Sequence, residues 1–131
     1  MSTRRRVVVT GVGAVTPLAT GIKPSWDRLL KGESGIGPIT RFDATGFKTR
    51  IAAEVKDFVA EDFMEKKRAR RTDLFIHYAL AATSMAIEDA RLVVDQHNAE
   101  RIGVVYGTCI GGMTTYEKNL AAFQEGGADK I

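Results

Sequence analysis

Arg6-Val7-Val8-Val9-Thr10-Gly11-Val12-Gly13 is the stretch from which the fold can be read. A β-branched run without polar alternation, stopped by glycines, is how a strand buried on both faces is written. Residues 6–9 are therefore predicted to form a central strand. A second run of the same kind, Ile102 to Tyr106, is closed by Gly107-Thr108-Cys109-Ile110-Gly111-Gly112. After the first run, Ser25 is positioned to cap a helix over Trp26–Lys31, with Trp26, Leu29 and Leu30 on one face and Gly32 placed for a left-handed C-terminal cap. From Gly32 to Phe47 turn-formers are too frequent for regular structure, so the segment reads as a folded loop anchored by Ile36, Ile39, Phe42 and Phe47. Ile51–Val55 suits a short strand and Ala60–Lys67 a short helix.

The clearest helix is Leu74–Ala90, with Thr72 or Asp73 as its N-cap. Phe75, Ala79, Ala82 and Ala86 make one stripe and Ile76, Leu80, Thr83 and Ile87 another beside it, so the helix is expected to be covered on most sides. Small residues, including Ala81, Ala82 and Ser84, leave room for a neighbouring backbone. A last helix spans Met113–Gln124 and stops at Gly126-Gly127. Strands alternating with helices across glycine-rich turns define an α/β chain with a parallel or mixed sheet. Two strong strands and one weak one are fewer than such a sheet uses, so the chain reads as a fragment, or as one that finishes its sheet with a partner.

Composition excludes several classes. Of 131 residues 44% are hydrophobic and 27% charged, which suits one globular core rather than a disordered or collagen-like chain. No apolar run approaches the ~20 residues that cross a bilayer, and no membrane association is expected. One cysteine, Cys109, permits no internal disulfide, which is compatible with cytosol. Ser2-Thr3-Arg4-Arg5-Arg6 ahead of the valines mimics a twin-arginine export signal, but Gly11, Gly13 and Pro17 break the apolar stretch and no small-x-small cleavage site follows well placed. The better reading is a basic lead-in to a buried strand.

Nineteen Lys plus Arg against sixteen Asp plus Glu give +3, and eight of the nineteen lie in Arg4–Arg6 and in Lys66-Lys67-Arg68-Ala69-Arg70-Arg71. Five bases in six positions can dock phosphates or carboxylates; a solvated turn ahead of a helix is the plainer alternative. Nucleic acid fits on charge alone, yet no helix-turn-helix, RNP or zinc pattern accompanies the run, so an acidic protein surface is the better match. The strand-end glycines Gly11 and Gly13 resemble a dinucleotide turn, but the third glycine position is Thr16 and Pro17 follows. Cys109 lies in a turn whose amides could stabilise a thiolate, but His77 falls inside the long helix and His97 in a polar loop, so neither is placed as its base. It reads as a small apolar residue packed under the turn. With one Cys and two distant His there is no metal-ligand cluster.

Taken together, the ordered segments Arg5-Arg6-Val7-Val8-Val9-Thr10-Gly11-Val12-Gly13 with Thr16-Pro17, Gly32-Glu33-Ser34-Gly35-Ile36, Arg41-Phe42-Asp43, Lys67, Arg70 and Arg71 ahead of Asp73, Arg101-Ile102-Gly103, and Ile110-Gly111-Gly112 resemble the β-ketoacyl-acyl-carrier-protein synthases, specifically the type II elongating enzymes. The resemblance extends over essentially the whole chain. It implies the thiolase-like α/β fold, two duplicated halves stacked as a five-layered αβαβα architecture. Residues 1–131 would form part of the first, N-terminal half, truncated before the catalytic cysteine.

The resemblance implies a chain-elongating decarboxylative Claisen condensation in fatty-acid biosynthesis, by a cytoplasmic homodimeric acyltransferase that uses acyl carrier protein as partner and needs no metal or redox cofactor. No catalytic residue falls in this segment, and condensing activity is not expected of the segment alone. Ile110 matches the acyl-pocket isoleucine near the dimer interface that moves to admit longer chains. Lys67, Arg70, Arg71 and Lys130 match carrier-protein docking positions, while Asp129 departs from the arginine that relatives often carry there. The alternative is a non-catalytic binding module that uses residues 66–71 for an acidic protein or a nucleic acid.

Overall fold

Hydrogen bonding among residues 4–130, which the computed structural model describes, closes four α-helices and one β-hairpin. In chain order they are α1 (Ile22–Leu30), β1 (Ile36–Pro38), β2 (Ile51–Ala53), α2 (Lys66–Ala69), α3 (Leu74–Asp89) and α4 (Met113–Gly126). Short 3₁₀ turns cover Ala60–Asp62, Ala99–Arg101 and Gly127–Lys130. Ser2 and Thr3 of the basic lead-in lie outside the described residues, as does Ile131. Composition suggested one core, whereas the residues cluster into two compact units. One takes the chain through Val59 with Ala81–Val94, the other takes Ala60–Leu80 with the residues from Asp95 on.

In the first unit the glycines of the opening stretch have a packing role. A Cβ on Gly13 would lie 2.0 Å from the Ala82 carbonyl oxygen, and one on Gly11 would lie 2.3 Å from that of Ala86. The small-residue face of α3 therefore receives the backbone of residues 11–13, as its alanines led us to expect. The Val12 amide donates to Asp89 Oδ2 at 2.8 Å and fixes the register of this contact. On this side of both glycines the backbone of α3, not a ligand, occupies the space that the missing side chains leave.

Ser25 is not the cap of α1. The helix begins one turn earlier, after Gly21, and Ser25 is buried inside it at 6% exposure. Its Oγ donates back to the Gly21 carbonyl at 2.7 Å and shares a hydrogen bond with Thr16 Oγ1 at 2.8 Å. A hydroxyl that satisfies a carbonyl four residues back is compatible with a helix interior, which is why the cap signal misled. Gly32 does adopt the left-handed conformation, with φ +70°.

The expected loop over Gly32–Phe47 contains a strand. β1 pairs antiparallel with β2 in the register Ile36↔Ala53, Gly37↔Ala52, Pro38↔Ile51. Gly37 and Pro38 hid it, yet proline is tolerated where a strand has a free edge. Beyond the pairing, Glu54 accepts from Thr40 Oγ1 at 2.7 Å and from the Thr40 and Arg41 amides. The Thr40 hydroxyl, then the Thr40 amide, hold the Glu54 carboxyl below the ordinary glutamate range. With the folded value depressed, this contribution to hairpin stability is complete above the unfolded value and is lost as pH falls through the folded one. In an acid titration followed by NMR, the Thr40 amide resonance should move with a midpoint below that of an unpaired glutamate. A midpoint at or above it would contradict the clamp.

Neither apolar run forms a strand within the described residues, which corrects the expectation of two buried central strands. Val7 is 92% exposed, Val9 83% and Val105 100%, and the one sheet present is the β1–β2 hairpin. A strand buried on both faces needs hydrogen-bonded neighbours and covering layers, and no described segment supplies them.

Candidate functional site

Every residue singled out for function belongs to the second unit. α2 is a single helical turn closed by Arg70 N–H to the Lys66 carbonyl at 3.1 Å, with Glu65 ahead of it. Lys66, Lys67, Arg68, Arg70 and Arg71 are all exposed. The ion pairs Lys23–Asp27 and Arg28–Glu33 do not involve this segment. Five like charges in one and a half turns repel one another, so the arrangement favours a polyanionic partner that neutralises several at once.

The segment is anchored from below. Thr72 Oγ1 donates to the Arg68 carbonyl at 2.9 Å. That commits its one proton, so His77 Nε2, 3.0 Å from the same oxygen, is the donor in their contact. His77 is 7% exposed and its Nδ1 has no partner among the described residues. The histidine thus ties α3 to the basic turn.

Asp73 follows. Its carbonyl accepts from the Ile76 and His77 amides at 2.9 and 3.3 Å, which makes it the backbone N-cap of α3. Its carboxylate accepts from Thr115 Oγ1 in the first turn of α4 at 2.6 Å. Between the two helices lies the turn that carries Ile110. Gly112 is left-handed, φ +84°, a conformation for which glycine is suited. A Cβ on Gly111 would lie 2.9 Å from the Phe75 ring. Ile110 itself is 70% exposed, with no pocket closed around it by the described residues.

Lys130 ends the last 3₁₀ turn, its side-chain stem passing 2.5 Å from where a Cβ of Gly126 would stand. No hydrogen bond or ion pair among the described residues ties it to the basic segment or to the Ile110 turn. Cys109 is exposed rather than packed under its turn, and His97, also exposed, is engaged at its amide by Asp95 Oδ1. Among the described residues no three His, Cys, Asp or Glu side chains gather into a metal site. On α4, Met113, Tyr116, Leu120 and Phe123 form an exposed apolar stripe. No helix is long and apolar enough to cross a membrane. The sequence reading singled out the basic run by its charge and Ile110 by resemblance; the Asp73–Thr115 link was not in it, because two polar residues 42 positions apart carry no periodic signal.

Residues 4–130 match the family model for the beta-ketoacyl synthase, N-terminal domain. The 3-oxoacyl-[acyl-carrier-protein] synthase 2 of Synechocystis sp. is 49% identical over 114 residues, 87% of this chain and 27% of that protein. Its counterpart in Coxiella burnetii is 46% identical over 128 residues, 98% of this chain and 31% of that one. Among solved structures, the AntDE:AntF complex, a type II PKS acyl-carrier protein with its ketosynthase bound to the hexaketide, matches with TM-score 0.76 at 27% identity, over 98% of this chain and 34% of that one. The chain thus spans about a third or less of each.

Proposed function

The chain belongs to the β-ketoacyl synthase family, and from that membership we propose that it contributes carrier-docking and acyl-pocket surface to an enzyme that elongates fatty acids by decarboxylative condensation. Its fold class is the α/β, thiolase-like class of the solved ketosynthases, with the described residues as part of a first half. What supports the reading is the match across residues 4–130, together with curated relatives at 46–49% identity named 3-oxoacyl-[acyl-carrier-protein] synthase 2.

In the reaction as the family performs it, a cysteine thiolate takes the acyl group from its carrier thioester. Malonyl carrier protein then loses carbon dioxide, and the resulting carbanion attacks the acyl thioester and expels the thiolate. Both steps develop negative charge on a thioester oxygen, which oriented donors stabilise. We assign none of these catalytic groups to residues 1–131, which we read as the part of the N-terminal domain ahead of the nucleophile. To this chain we assign Lys67, Arg70, Arg71 and Lys130 as docking groups for acyl carrier protein, with Asp129 weakening the corner it occupies. Ile110 is the acyl-pocket residue, since a branched side chain can obstruct an apolar tunnel or, by turning, open it. A homodimer in the cytoplasm is part of the same proposal.

The test is a condensation assay on the protein as its gene encodes it, with an acyl donor and malonyl carrier protein. The expected result is a 3-oxoacyl product and carbon dioxide from a polypeptide that includes the remaining two thirds of the family's length, and none from residues 1–131 alone. Absence of product from the longer polypeptide would contradict the proposal.

A further inference from the structure

The first turn of α3 touches both features to which function has been assigned. On one side the His77 to Thr72 to Arg68 chain of hydrogen bonds holds the basic segment against the helix. On the other, the Asp73 carboxylate accepts from Thr115 Oγ1 at 2.6 Å, and the Phe75 ring leaves no space for a side chain at Gly111. The Ile110 turn is consequently held at two points by residues that directly follow Arg70 and Arg71 in the chain. Of the two, the Phe75 contact is non-directional, whereas the Asp73–Thr115 bond is charge-assisted and fixes an orientation.

We propose that Asp73 is a positioning residue that, through Thr115, registers the Ile110 turn against the basic docking segment, so that occupation of the segment by carrier protein is felt at Ile110. The inference rests on the docking and acyl-pocket reading above. Carrier protein that neutralises Arg70 and Arg71 changes the field at the adjoining Asp73 carboxylate and loads the chain joining them. The Asp73–Thr115 bond passes that displacement to the start of α4 and the Ile110–Gly112 turn. The physical content is one hydrogen bond whose removal uncouples two surfaces while leaving each intact.

The experiment uses the protein as its gene encodes it, with labelled isoleucine δ1 methyls, and apo acyl carrier protein as the probe. In the unmodified protein carrier protein should shift the Ile110 methyl resonance. In Thr115→Val, which keeps the shape and removes the donor, the carrier should still bind but the Ile110 shift should vanish, and in Thr115→Ser, which restores the hydroxyl, it should return. A side chain with a merely structural role would not show this loss and rescue at unchanged carrier affinity. An Ile110 shift that persists in Thr115→Val, or never occurs although carrier binds, overturns the inference. If carrier does not bind the unmodified protein, the docking reading fails, and positioning is then decided without carrier by amide exchange at Gly111 and Gly112. Exchange faster in Thr115→Val and restored in Thr115→Ser supports the registering bond; equal exchange in all three overturns it.

Discussion

Replacing Arg70 and Arg71 together by glutamate should weaken binding of acyl carrier protein about ten- to a hundredfold, or about 1.4–2.8 kcal/mol. Both guanidinium groups are exposed and engage no ion pair among the described residues, so nothing within the fold depends on their charge. Each offers a forked set of donors suited to carboxylates or a phosphate. Reversal changes the local charge by four and sets like charges against an acidic partner, a juxtaposition that costs more than a lost exposed contact. Calorimetry of the unmodified and Arg70→Glu/Arg71→Glu proteins at two salt concentrations reads this directly. Affinity of the unmodified protein should fall with added salt, since screening acts over about 8 Å at physiological ionic strength, and the double variant should be less sensitive. Equal affinity for the two proteins would remove the basic segment from the interface. Preferential binding of nucleic acid at physiological salt, abolished by the same reversal, would favour the alternative binding module.

The second large effect is on stability. Gly13→Ala should destabilise the first unit by about 3 kcal/mol, at the upper end of what overpacking usually costs. The added methyl would meet the Ala82 carbonyl oxygen at 2.0 Å and the Ala86 amide nitrogen at 2.7 Å. Both are helix backbone atoms that cannot swing aside as a side chain would, so residues 11–13 must lift from α3 or the helix must bend. The contrast is Gly37→Ala in β1, where the methyl meets only the Lys56 ammonium, at 3.7 Å. That change should be neutral or slightly stabilising, because alanine restricts the unfolded chain. Urea unfolding of both variants checks the pair. A Gly13→Ala protein as stable as its parent would show that residues 11–13 do not lie on this face of α3.

These two sites show how far the sequence could be read. Ala82 and Ala86 signalled the close approach of a backbone, because a stripe of small side chains on a helix has few other uses, and Gly13 fills it. The long helix was legible almost to the residue, since its composition and period coincide. The run Lys66–Arg71 was equally plain, because charge density needs no tertiary context to be recognised. Ser25 misled because the same hydroxyl that caps a helix end can bond a carbonyl inside one. β1 was hidden by Gly37 and Pro38, which carry turn statistics but sit on a free edge.

The valine runs show the opposite limit. Val7–Val9 and Val104–Val105 have the composition of central strands, and composition is a statement about the neighbours a segment requires. Within residues 4–130 those neighbours are absent, and neither run is a strand or buried there. The link between Asp73 and Thr115 lay beyond any sequence signal, because a single hydrogen bond between distant polar residues has no period.

The most direct test of the docking claim is the hydrogen–deuterium exchange footprint of acyl carrier protein on the protein as its gene encodes it. Protection concentrated on residues 66–71 and 127–130, strengthened at low salt, is the result expected here. Saturable carrier binding with protection elsewhere and none on residues 66–71, or no protection at any carrier concentration, would contradict it.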